Sequence, residues 1–206
     1  PPPFPLAAPP SPGELLAPPL RTCLASLLAD TAETNELVLA AMAGLLGRTL
    51  LSAPPVFSSL LAASGLPDAL PRLAARWLQL ADSILLSTHR KLAAVALGQM
   101  LSLDASLLPL AAEILSFAVS VLYEHEPQEP DSPPRRAESA RFSHEHAEFA
   151  AALDASGLDP VRALELRPTL QQCMARAAAA HGAPFHAAMQ ALDPDLMAQV
   201  QKAFGS

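Results

Sequence analysis

From residue 13 onward, apolar residues recur at spacings of three and four, the spacing of one face of an α-helix. Proline, glycine or a short capping residue such as Asp, Ser or Thr interrupts this pattern every ~10 to 20 residues. Because proline cannot continue a helix and glycine favours its end, each interruption predicts a helix boundary. The pattern predicts helices over residues 20–29, 36–52, 55–64, 67–83, 88–103, 105–124, 147–155, 160–181, 184–190 and 193–204.

The predicted helix over residues 160–181 carries the clearest end signals. Asp159 is its predicted N-cap, Pro160 occupies its first position, and Gly182 follows its last residue. We expect Pro168 to kink this helix or to divide it into two, because a proline inside a helix removes one backbone donor. Asp193 is the predicted cap of the last helix.

The composition excludes a large sheet. Hydrophobic residues make up 51% of the 206, but aromatic residues only 4%, and no long run alternates apolar with polar residues. Alanine and leucine are strong helix formers. The chain is therefore predicted to be all-α.

Two predicted helices, over residues 36–52 and 88–103, are apolar on more than one face. A helix buries more than one face when it has neighbours on both sides. Successive helices joined by short Pro/Gly turns, in pairs of about 40 residues, fit the period of HEAT repeats. These features predict an α-solenoid of HEAT-like antiparallel helix pairs.

Shifts in composition divide the chain into four predicted regions. Residues 1–12 form a proline-rich linker, and residues 13–124 form the HEAT-like helical repeats. Residues 125–146 form an acidic, proline-rich loop that we expect to be disordered. Residues 147–206 form a C-terminal helical block. The proline-rich start, without a signal peptide, suggests the C-terminal part of a longer protein.

The formal net charge of −7 argues against nucleic-acid binding, which needs a clustered basic surface. It favours basic protein partners instead. Cys23 and Cys173 are the only cysteines, too few for a zinc or disulfide framework, so a reducing intracellular compartment is expected.

Residues 105–123 are as long and apolar as a membrane-spanning helix. However, Pro109 lies near the start of this segment, Glu113 lies in its middle, and no basic cluster flanks it. We therefore predict a buried helix without membrane insertion, with Glu113 exposed at its edge.

No recognisable nucleophile, metal or phosphate-binding motif occurs, so no enzyme activity and no cofactor are predicted. His144 and His146 form an H-x-H pair that could chelate a metal with His125 or Glu145. Histidines in a charged loop are more often solvated, and no metal site is predicted.

Ser132 lies in the sequence "SPPRR", which resembles the site of a proline-directed kinase. A phosphate there would lie beside Arg135 and Arg136 and change the local charge. Ser132 is therefore a possible phosphosite, with an exposed linker as the alternative.

The most specific group of residues is Trp77, Asp82, Arg90 and Lys91. Trp77, the only tryptophan, falls on an apolar helix face and is predicted to anchor the core. Asp82 and the Arg90–Lys91 pair flank the turn between two helices, so an Asp82–Arg90 contact is expected to set their angle. Leu92 follows at a core position of the second helix.

Two features mark the start of that second helix. Ser87 or Thr88 is its predicted cap. Arg90 and Lys91 in a first turn oppose the helix dipole and need a nearby acid, for which Asp82 is the candidate.

Three stretches resemble the C-terminal end of importin-β (karyopherin) family nuclear transport receptors, most closely the importin-eleven branch. They are "LVLAAMAGLLGRTLLSAPPVFSSLL", "RWLQLADSILLSTHRKLAAVALGQML" and "LDPVRALELRPTLQQCMARAAAAHGAPFHAAMQALDPDLMAQVQKAF". The segment from Trp77 through Arg90 and Lys91 to Leu92 and the "LDPV" entry, which includes Asp159 and Pro160, are the structural signature.

The resemblance implies a superhelix of HEAT repeats that carries protein cargo and contacts nucleoporins while shuttling between nucleus and cytoplasm through the nuclear pore. It implies release of cargo by Ran-GTP, bound by N-terminal repeats that this chain does not contain. The alternative is a HEAT-repeat scaffold for protein assembly outside nuclear transport. No cargo-contact residue can be transferred, because the matching motifs are mostly apolar.

Overall fold

A computed structural model of the chain describes residues 12–29, 35–125 and 160–204. Regular structure within these ranges is helical throughout, which confirms the all-α prediction. Two short 3₁₀ helices, Ala81–Ser83 and Ala105–Leu110, join longer elements. The α-helices are α1 Pro12–Leu28, α2 Glu36–Ser52, α3 Pro54–Ala63, α4 Ala69–Gln79, α5 Ser87–Leu101, α6 Ala111–His125, α7 Pro160–Ala163, α8 Leu166–His181, α9 Ala183–Gln190 and α10 Pro194–Phe204.

The helices pack in two layers. In one layer α2, α5 and α8 lie side by side; in the other, α1, α4, α6 and α10 follow one another. The layers meet where α1 packs on α2, α5 on α6, and α8 on α10. Each long helix thus packs on neighbours in its own layer and on a helix of the other layer, which is the arrangement of an α-solenoid.

Helix directions repeat along the stack. Arg90 at the start of α5 pairs with Glu124 at the end of α6, so these helices are antiparallel. Arg167 at the start of α8 donates to Ala203 O near the end of α10, so this second pair is also antiparallel. An antiparallel helix pair that joins the two layers therefore occurs at least twice in the described residues.

Helix α5 occupies the centre of the stack. Residues 92–98 are all buried, whichever face of the helix they lie on. This follows from the neighbours of α5, since α2 and α8 flank it while α4, α6 and the short helix α7 cover the remaining sides. The predicted burial of more than one face is therefore confirmed for α5.

Helix α1 begins at Pro12, eight residues before the predicted start, and contains Pro18 and Pro19. Both prolines are exposed, whereas Leu24 and Leu27 in the next turns are buried. Burial of the following turns therefore outweighs the two missing backbone donors, a tertiary effect that the local rule for proline omits.

The apolar segment Ala105–His125 is long and apolar enough to cross a membrane by length and composition, and half of its apolar window is buried in the fold. It is not one α-helix, because Pro109 lies in a 3₁₀ turn before α6 begins at Ala111. Helix α6 packs on α5 and α10, and Glu113 is exposed as expected. These contacts place the buried apolar side chains of the segment in the protein core.

The predicted helix over residues 160–181 is divided at Leu164 and Glu165, not at Pro168. Pro168 is the third residue of α8, where its missing N–H has no partner within the helix. Gly182 follows α8 with a positive φ of 53°, a conformation that favours glycine.

Helix ends agree only partly with the predicted caps. Asp193 accepts from Asp195 N at 2.9 Å, as predicted, and Asn35, for which no cap was predicted, accepts from Leu37 N at 2.8 Å at the start of α2. The prediction of Ser87 or Thr88 as the cap of α5 is wrong, since Ser87 is already helical and the preceding Leu86 makes no side-chain cap bond.

Several predictions lie outside the described residues. They concern Asp159 as a cap, the helix over residues 147–155, the proposed loop with Ser132, and the linker before Pro12. The division of the chain into four regions consequently stays a prediction.

Candidate protein-binding site

Trp77 lies at the junction of α4, α2 and α5 and is only 1% exposed. A Cβ added to Gly47 of α2 would lie 2.6 Å from Cη2 of the indole and 3.4 Å from Cβ of Ala96 on α5. The absence of a side chain at Gly47 thus makes room for the ring between two layers. Trp77 therefore fixes the spacing of three helices rather than offering a platform to a ligand.

The indole N–H of Trp77 has no hydrogen-bond partner among the described residues. Leaving such a donor unpaired in the core costs about 1 to 3 kcal/mol. The large apolar contact of the ring compensates for that cost.

Arg90 is held by three contacts. Its Nε and Nη2 donate to the two carboxylate oxygens of Glu124, both at 2.9 Å, and Nη1 donates to Ala81 O at 3.0 Å. The guanidinium also lies 5.1 Å from the centre of the Phe117 ring. Arg90 thus ties the turn before α5 to the end of α6.

The predicted Asp82–Arg90 contact is wrong. Asp82 is exposed on the 3₁₀ turn Ala81–Ser83, and the acid that pairs with Arg90 is Glu124, 34 residues further along the chain. An acid does lie near Arg90 in the first turn of α5, as the sequence required. It comes from a distant part of the chain, because α6 folds back antiparallel to α5 and brings Glu124 to the start of α5.

Two other arginines repeat the role of Arg90. Arg72 in the first turn of α4 donates to Leu28 O at the end of α1, at 2.7 Å. Arg167 in the first turn of α8 donates to the carbonyl of Ala203 near the end of α10. Carbonyl groups at a helix end carry partial negative charge, so each arginine stabilises a neighbouring helix end. Sequence reasoning missed this pattern because the partners lie 36 to 44 residues away.

The remaining signature residues have framework positions. Leu92 is fully buried and packs next to Gly44 of α2. Lys91 lines a cleft of about 300 Å³ together with His125, Glu165 and Arg167, where the starts of α5 and α8 meet the end of α6. Pro160 is the first residue of α7, as its predicted position requires.

The described residues contain no group of three or more His, Cys, Asp or Glu side chains placed to hold a metal. His144, His146 and Glu145 lie outside those residues; His125 contacts Ser87 O at 3.1 Å instead. Cys23 and Cys173 are free and buried, and this burial raises the pKa of both thiols. Such thiols stay protonated and unreactive near neutral pH.

Exposed large apolar side chains concentrate at one place. Five of the eight such side chains in the described residues lie on α2 or in the turn before α5. Gly44 of α2 lies beside Leu92 of α5, so the two helices run parallel and the start of α2 is level with that turn. We call this surface the α2 face; it consists of Leu37, Val38, Ala41, Leu45, Leu85 and Leu86.

A second apolar surface is a cleft of about 360 Å³ between α1 and α3. Leu24, Leu28 and Leu60 are among the residues that line it, and Arg21 lies at its edge. Both surfaces are suited to protein contacts, because they offer apolar area with few polar groups.

Comparison with known proteins gives one family. The family model described as importin-11-like, TPR repeats, matches residues 16–205, nearly the whole chain. No curated protein and no solved structure gives a significant match. TPR and HEAT repeats are both helix pairs stacked into solenoids. The chain belongs to the importin-11-like family of helical-repeat proteins, a family of nuclear transport receptors.

Proposed function

We propose that this chain is the C-terminal part of a nuclear import receptor that carries protein cargo through the nuclear pore without catalysing a reaction. The observation that carries the proposal is the family match over residues 16–205 on a two-layer α-solenoid. The receptor moves between cytoplasm and nucleus and contacts nucleoporins during passage. Ran-GTP controls it through N-terminal repeats outside this chain.

The use of polar side chains supports a binding role. Arg72, Arg90 and Arg167 each hold a helix end to a neighbouring element. The described surface is apolar in places, and the whole chain carries a net charge of −7. A net negative charge favours basic protein cargo.

The proposal is tested with the full-length receptor immobilised and incubated with cytosolic extract. Bound proteins are quantified by mass spectrometry after addition of Ran loaded with a non-hydrolysable GTP analogue, with GDP-loaded Ran as the matched control. A defined set of proteins is expected to leave the receptor with the GTP form only. Release that is equal with both forms, or no release, would overturn the transport function and favour the HEAT-repeat scaffold.

Localisation gives a second test of the same proposal. The full-length protein with a fluorescent tag is expected in both nucleus and cytoplasm and at the nuclear rim. Exclusion from the nucleus, including when nuclear export is blocked, would contradict it.

A further inference from the structure

We draw no further inference here: the strongest candidate, the exposed apolar surface patch of the α2 face, is an unpartnered helix face, and nothing in the structure shows what covers it.

Discussion

Helices α2 and α5 are parallel neighbours in one layer, and both are apolar on more than one face, yet they differ in burial. Residues 92–98 of α5 are completely buried, whereas Leu37, Val38 and Leu45 of α2 are about half exposed. The difference arises from their neighbours, because α5 lies between α2 and α8 while the outward side of α2 has no described neighbour. In a stacked fold, the same apolar pattern can therefore be buried as core in one helix and stay partly exposed in the next.

The largest expected effect is a difference in the free energy of unfolding between matched leucine substitutions in these two helices. Leu92→Ala in α5 is expected to lower the free energy of unfolding by about 2 to 5 kcal/mol, because it leaves a cavity at a fully buried position. Leu45→Ala on the α2 face is expected to change it by less than about 0.5 kcal/mol. Urea unfolding followed by circular dichroism measures both, and equal costs would show that α2 is as buried as α5.

Substitutions of two glycines test how tightly the inner side of α2 packs against α4 and α5. Gly47→Ala is expected to destabilise the fold by about 1 to 3 kcal/mol, because its Cβ would lie 2.6 Å from the Trp77 ring. Gly44→Ala meets only a Leu92 methyl at 3.9 Å, so it is expected to be neutral or to stabilise α2 by up to about 1 kcal/mol. Stability is measured by thermal and urea unfolding. An equal loss of stability in the two variants would contradict this packing.

The start of α5 offers the next test. Arg90→Met is expected to lower the free energy of unfolding by about 1 to 2 kcal/mol, because Glu124 and Ala81 O lose a charged donor at a partly exposed position. Arg90→Lys should restore only part of this, since an ammonium group cannot reach both carboxylate oxygens in the same way.

Asp82→Asn is the control for Arg90, because Asp82 is the partner that the sequence predicted. It is expected to change stability by less than about 0.5 kcal/mol. A double-mutant cycle with Glu124→Gln should find the coupling between Arg90 and Glu124. A larger coupling between Arg90 and Asp82 would refute the observed pairing.

The smallest effect concerns Cys173, which packs against Gly98 between α5 and α8. Burial raises the pKa of its thiol, so at alkaline pH the unfolded chain loses this proton while the folded chain retains it. The free energy of unfolding is therefore expected to fall as the pH rises above about 8.5, the ordinary pKa of a thiol, and to fall less in Cys173→Ala. Identical pH profiles for the two proteins would show that Cys173 is not buried in solution.

Sequence reasoning worked best where a signal and its effect lie within one helix. The bounds of α2, Glu36–Ser52, match the prediction, because Asn35 caps its start and Pro54 follows its end. The ends of α8 and α10, marked by Gly182 and Asp193, were also predicted. Local hydrogen bonds set these boundaries, and local rules describe them.

The errors share one physical cause, which is stabilisation from distant parts of the chain. The prediction began α1 at residue 20, after Pro18 and Pro19, but burial of the later turns allows the helix to begin at Pro12. Glu124 replaces Asp82 as the partner of Arg90 because α6 returns alongside α5. The α2 face was not predicted, since its sequence differs little from that of a buried helix.

The amino-acid sequence by itself determined that the chain is helical, roughly where its helices begin and end, and to which family it belongs. Helical spacing, caps, proline and glycine act over a few residues, so these properties are readable along the chain. Only the tertiary structure decided which apolar faces became core, which stayed exposed on α2, and which acid met Arg90. Those outcomes depend on which helices become neighbours, and neighbours in a stack lie about 34 to 80 residues apart in the sequence.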